Sequence, residues 1–214
     1  MFLVHFIGDI HQPLHDENLA LGGNQIAVTF DGASTNLHSV WDTSIPQKYA
    51  GTATLANAQA WANTLTTAIK TGTYSSMKAG WISGMSLSSP TTTASGWASG
   101  ANAFVCTNVM PSGASGVQNQ DLGGTYYTNN LPVVKQQIAT AGYRLAAWLN
   151  LIVTGSTGLS PASGGFVCLR GRKWTNDGLG MAAAVKPRSV NPVYETLRNF
   201  RRIPVDLNKC EREP

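Results

Sequence analysis

The chain has 214 residues, with 15 Lys/Arg against 11 Asp/Glu, a net charge of +4 and only 12% charged residues. That length supports one domain with a sizeable core. No apolar run is long enough to span a membrane and no N-x-[ST] acceptor occurs, which excludes a spanning helix and N-glycosylation.

The four histidines fall in two segments, HFIGDIHQPLH at 5–15 and NLHSVWD at 36–42. His5 and Asp9 are four residues apart, and so are His38 and Asp42. On a helix that spacing puts both side chains on one face, about 5–6 Å apart. One such pair is usually an ordinary surface pair. Two pairs together suit a divalent cation such as zinc. Pro13 ends the first helix and lets His15 turn back toward it. His11 sits two residues past Asp9, on roughly the opposite helix face, and reads as structural support behind the ligands.

Next come GGN at 22–24 and the strand-like IAVTF at 26–30, before the second pair. The segment 52–70 predicts a helix with Leu55, Ala58, Ala62, Leu65 and Ile69 at helical spacing. The Ser/Thr/Gly-rich stretch at about 83–128 reads as mostly loop. Trp81 and Trp97 could stack on bases, but packing is the commoner role of a single tryptophan. Asn130 and Pro132 predict the start of a second long helix. Its apolar stripe is Val134, Ile138, Ala141, Leu145, Trp148, Leu149 and Ile152.

Together, HFIGDIHQPLH, GGN, IAVTF and TNLHSVWD resemble the secreted, zinc-dependent single-strand-specific nucleases of the S-one/P-one type. The resemblance runs from Met1 to about Thr154 and is densest up to Gly51. The spacing H-x3-D-x-H-x-P-x-H also resembles bacterial zinc phospholipase C, which shares the helical fold. The GGN loop, the IAVTF strand and LHSVWD favour the nuclease side. The resemblance implies a mostly α, multi-helix fold of the zinc phospholipase C/nuclease type with a short β-hairpin. It also implies three zincs, a close pair that activates water and a third, more exposed ion.

Carried over residue by residue, His5 would be a ligand of the close pair and Asp9 would bridge it as the catalytic carboxylate. His15, His38 and Asp42 would hold the exposed zinc. Asn24 would help bind the nucleotide. The substrate implied is single-stranded DNA and RNA, cut to 5′-phosphate products by a secreted monomer with no membrane partner. The family's further zinc ligands and base-pocket residues lie upstream of its equivalent of His5. Met1 is therefore expected to be an internal start, the fold incomplete, and only the exposed zinc site fully liganded. The runner-up readings are a zinc phospholipase C-like phosphodiesterase and a non-catalytic zinc- or nucleic-acid-binding fragment.

Three cysteines, Cys106, Cys168 and Cys210, are an awkward number for a secreted protein. In the family the position of Cys106 pairs with an upstream cysteine, so Cys106 is expected either to lack its partner or to be a buried free thiol. The states of Cys168 and Cys210 stay open. The first residues lack the basic region of a signal peptide.

The composition changes near residue 155. Residues 1–155 hold five Lys/Arg and six Asp/Glu, net −1; residues 156–214 hold ten and five, net +5. The division expected is a partial nuclease domain over 1–155 and a basic, poorly ordered tail over 156–214. A basic nucleic-acid-binding arm is one reading of that tail. Sequence unrelated to the domain is the preferred one, because it shows no period.

Overall fold

The computed structural model describes residues 2–159. The protein is mostly α-helical, as expected. Helix α1 (Phe2–Asp9) leads into a 3-10 turn (Pro13–Asp16), then strands β1 (Ala27–Phe30) and β2 (Ala33–Asn36). A helical stretch follows: α2 (Leu37–Ser39), a π-turn (Val40–Ser44) and α3 (Ile45–Ala50). Then come α4 (Leu55–Lys70), α5 (Lys78–Trp81) and α6 (Pro90–Phe104), a second π-turn (Val105–Val109), a 3-10 turn (Ala114–Gly116) and α7 (Thr125–Thr154).

Helix α7 is the spine. Helices α1, α3, α4 and α5 all pack on it, and α6 packs on the Pro13–Asp16 turn. One core cluster joins the hairpin, Leu14, the 37–45 segment and Val133 and Val134 of α7. A second joins the end of α4, Trp81 and Ala139, Tyr143 and Ala147. A third sets Ile7 and Ile10 against Trp97 and Trp148.

The hairpin is antiparallel, with Val28 opposite Thr35. Asp31 (φ 51°) and Gly32 (φ 80°) make its left-handed turn, as an Asp-Gly pair is suited to do. The Asp121 carboxylate covers that turn, accepting from the backbone N–H of Asp31 (3.1 Å), Gly32 (2.7 Å) and Gly123 (2.8 Å). Lys48 Nζ, on α3, binds Asp31 Oδ1 at 2.6 Å and the Gly123 carbonyl at 2.9 Å. These contacts fix the frame from which the next helical stretch departs.

Three expectations are corrected. The stretch read as loop contains the 15-residue α6. Pro90 lies in its first turn, where a missing N–H costs nothing, and Trp97, Ala98 and Ala101 bury its inner face. Helix α7 starts at Thr125, so Pro132 lies inside it rather than at its start. Burial of Val133 and Val134 holds the helix through the hydrogen bond that the proline forfeits. On α4 only Leu65 and Ile69 of the predicted stripe are buried, while Leu55 stands 85% exposed. Thr54 caps that helix by accepting from the Asn57 N–H.

Trp81 packs edge-on to Tyr143 and Trp97 edge-on to Trp148, both packing roles. No described helix is long and apolar enough to cross a membrane. The tail expected over 156–214 lies, from residue 160 onward, outside the described residues.

Candidate metal centre

His15, His38 and Asp42 are each set beside a residue driven into the core. Leu14 precedes His15, Leu37 precedes His38, and Val40 and Trp41 precede Asp42; all four apolar residues are buried. The core thereby fixes where the three polar side chains emerge. Trp41 is held further by donating its Nε1–H to Tyr126 Oη at 2.8 Å. Asp42 sits inside the π-turn, a distortion that often re-aims side chains at functional sites.

Among the described residues, one group of three can share an ion. Ligand atoms of His15, His38 and Asp42 all lie within 4.8 Å of one another. His15 Nε2 is 3.2 Å from Asp42 Oδ1, and His38 Nε2 is 3.2 Å from Asp42 Oδ2. The two imidazole rings are nearly parallel, with centroids 5.1 Å apart.

The far nitrogens explain the orientation. His38 Nδ1 donates to the Gly22 carbonyl at 2.7 Å. His15 Nδ1 donates to the Asp9 carbonyl at 3.0 Å and lies 2.9 Å from Asp9 Oδ1. A carbonyl only accepts, so each Nδ1 carries a hydrogen, and in the neutral ring each Nε2 is the nitrogen left with a lone pair for a cation. Metal-binding histidines are commonly fixed in this way. The donor set therefore fits a zinc-type cation.

Gly22 owes its place to this contact. Its φ is +64°, and an added Cβ would lie 2.7 Å from the Leu14 carbonyl. Only glycine takes that conformation at that distance without strain. Asn24 closes the same loop by donating Nδ2–H to the Leu21 carbonyl at 2.8 Å.

Burial alone would lower the pKa of His15. The hydrogen bond to Asp42 and the charges of Asp9 and Asp42 outweigh it, and the pKa rises. Burial would raise that of Asp42, but the hydrogen bonds from His15 and Gln12 outweigh it, and the pKa falls. Asp16 behaves differently: burial pushes its carboxyl up to about 8, the charge of His15 opposes this, and its Oδ2 has no hydrogen-bond partner.

His5 and Asp9 do not join the group of three. Asp9 touches it through His15, and His5 stands exposed on α1 with its ring 5.6 Å from that of Phe6. Both line the same open cleft, of about 450 Å³, as His15 and Asp42, with Trp41, Pro46 and Ile138 on its apolar wall. His11 also borders the cleft but is only 2% exposed. Its Nδ1 donates to the Ile7 carbonyl at 2.6 Å, and its Nε2 accepts from Arg144 Nη1 at 2.8 Å.

Cys106 is disulfide-bonded, which corrects the expectation of an orphaned or free thiol. The resemblance pointed upstream for its partner; Cys106 itself lies half-buried in the π-turn that follows α6. Cys168 and Cys210 lie outside the described residues.

The model of the S1/P1 nuclease family matches residues 1–154. The chain belongs to that family. It is 56% identical to Nuclease PA3 of a Penicillium species, over 71% of this chain and 56% of the relative. It is 52% identical to Nuclease S1 of Aspergillus oryzae, over 72% of this chain and 53% of the relative. Endonuclease 3 of Arabidopsis thaliana is 34% identical, over 76% of this chain and 53% of the relative. The chain spans about half the length of the curated relatives it matches. The family decides for the nuclease side over the phospholipase C side of the resemblance.

Gln12 and Asp16 escaped the sequence reading. Gln12 Nε2 donates to Asp42 Oδ1 at 2.8 Å, while its Oε1 accepts from the Leu14 N–H at 2.5 Å. Its place at the head of the turn Pro-Leu-His-Asp was the available signal, since N-cap positions favour a side-chain acceptor.

Proposed function

We propose that this chain carries part of the active centre of a secreted, zinc-dependent endonuclease that hydrolyses single-stranded DNA and RNA to 5′-phosphate products. The observation that carries this reading is the convergence of His15, His38 and Asp42 in a member of this family, beside a cleft that His5 and Asp9 also line. His15, His38 and Asp42 would hold one zinc, and His5 and Asp9 would be ligands of a close pair that Asp9 bridges. Bound zinc supplies a Lewis acid for the phosphate and its leaving oxygen and lowers the pKa of water.

The chain's own residues set the stage for this. Asp9 holds the His15 ring by its Nδ1, and the Gly22 carbonyl does the same for His38. Asn24 fixes the loop that supplies that carbonyl, consistent with its proposed place beside the nucleotide. The apolar wall of the cleft sheds water beside the polar groups, as binding clefts commonly do. His11 would stand behind the ligands as structural support, held by the Ile7 carbonyl and Arg144. Low charge content and the disulfide at Cys106 support an oxidising, extracellular setting. A monomer is part of the same reading, to be checked by light scattering.

The test is metal analysis and hydrolysis of single-stranded DNA by the 214-residue chain. With one complete group of three among the described residues, it should bind about one tight zinc, and His38→Ala should abolish that binding. His5 and Asp9 supply few donors for a close pair, so cleavage should be slow. Zinc binding with no turnover at all would leave the non-catalytic reading. Tight binding that survives His38→Ala would remove the proposed site.

A further inference from the structure

Besides the His15–Asp42 contact, a second polar contact joins the two halves of the cluster, and it is made by a residue that would not itself touch metal. The His15 half is the turn Pro13–Asp16, and the Asp42 half is the π-turn Val40–Ser44. They are separated in sequence by the hairpin. Gln12 spans them with one amide. Its Oε1 accepts from the Leu14 N–H at 2.5 Å, capping the turn that carries His15. That bond decides which end of the amide is oxygen, so the Nε2 end must be the donor to Asp42. The donated bond is 2.8 Å long and ends on Oδ1. His15 Nε2 lies 3.2 Å from the same oxygen, while Oδ2 faces His38 Nε2 at 3.2 Å.

A free aspartate can rotate its carboxylate about χ2, which is a broad torsion. With the two imidazoles alone, Asp42 could turn and share its oxygens in several ways. A third, directional donor on Oδ1 removes that freedom. It also leaves the second lone pair of Oδ1 and the whole of Oδ2 on the side where the two Nε2 atoms point. We propose that Gln12 is a positioning residue of the metal centre: it locks the Asp42 carboxylate in its ligating orientation and registers the His15 turn against the π-turn. The inference rests on the metal reading given above.

The experiment separates capping from positioning. Serine is a good N-cap residue but too short to reach Asp42, so Gln12→Ser keeps the first role and loses the second. Cobalt(II) serves as the probe on the full chain, with its visible absorption reporting coordination and a chelator competition giving affinity. Partners behind a ligand typically contribute 10–100-fold in metal affinity, so Gln12→Ser should weaken cobalt binding by about that factor and alter the band shape. The melting temperature without metal should move by no more than a few degrees. His38→Ala serves as the reference that abolishes binding. If cobalt binds wild type, fails on His38→Ala, and binds Gln12→Ser within twofold with an unchanged spectrum, the role of Gln12 is overturned and the metal centre stands. If wild type binds no cobalt, the metal reading falls and the role of Gln12 with it.

Discussion

His11 and His15 are four residues apart and end in opposite states. Both give an Nδ1 hydrogen to a backbone carbonyl, Ile7 for the first and Asp9 for the second. The difference lies at Nε2. His11 meets the Arg144 guanidinium, and His15 meets the Asp42 carboxylate. Burial, then Arg144, lowers the pKa of His11 to about 4. At His15 burial acts in the same direction, but the carboxylates outweigh it. One histidine is thus a neutral strut between helices, and the other is a basic group at the rim of a cleft. The residue type does not decide function here; the sign of the charge facing Nε2 does.

The largest break in this comparison is Arg144→Ala. Arg144 also donates Nε–H to the Trp81 carbonyl at 2.8 Å and lies over the Trp97 ring, 5.1 Å from its centroid. Its removal leaves two buried acceptors unpaired and opens a hole between α1, α6 and α7. Urea unfolding should show a loss of about 3 kcal/mol. Zinc affinity at folding conditions should stay within a few fold, because the cluster is held by separate contacts from Leu14, Gly22 and Gln12. A parallel collapse of zinc affinity would show that strut and cluster are one unit.

Acidity sharpens the comparison. In the folded, metal-free chain, ring resonances of His15 should titrate above 6.5 and those of His11 only near 4. The linkage signs are opposite. His11 is depressed, so its contribution is full above pH 6.5 and is lost as pH falls toward 4. The stability advantage of wild type over His11→Gln should shrink by about 3 kcal/mol across that window. His15 is raised, so its contribution is full below 6.5 and is lost as pH rises through its folded value. His15→Gln should therefore narrow the gap to wild type in alkaline buffer instead. Identical titration of the two rings would remove the contrast.

How much of this was legible in the sequence depends on what kind of signal carried it. The pairing of His38 with Asp42 follows from four-residue spacing, and the return of His15 toward Asp9 follows from Pro13. Both are local rules. Gln12 carries only a local capping signal, and its contact with Asp42 emerges only when residues far along the chain come to face it. Helix α6 was missed for a different reason. Its sequence PTTTASGWASGANAF has the small and hydroxyl residues of a loop. Its helicity comes from burying Trp97 and Ala101 against partners elsewhere, which propensity does not register. On α7 the polar Asn130, Gln137 and Thr140 are buried while Ile138 and Ile152 stay exposed, so the apolar stripe marked only part of the core face. Gln137 shows why: its Nε2 donates to the His11 carbonyl at 2.9 Å, an interior role that a hydropathy pattern reads as surface.

The smallest expected effect tests the comparison from a third histidine. His5 belongs neither to the strut nor to the cluster. It is exposed, stands one turn before Asp9 on α1, and contributes no atom to the group of three. Surface substitutions away from caps and buried networks change stability by about 0.5 kcal/mol or less, so His5→Ala should fold as wild type does. Tight zinc affinity should stay within about twofold, since Asp9 keeps its hold on His15 whether or not His5 is present. Calorimetric titration of the variant with zinc reads both quantities, the affinity and the number of sites. A tenfold loss of the tight site would mean that the start of α1 and the His15/His38/Asp42 cluster bind one ion together. His5 would then have to approach the cluster on metal binding, and its separation from the group of three in the metal-free geometry would no longer hold.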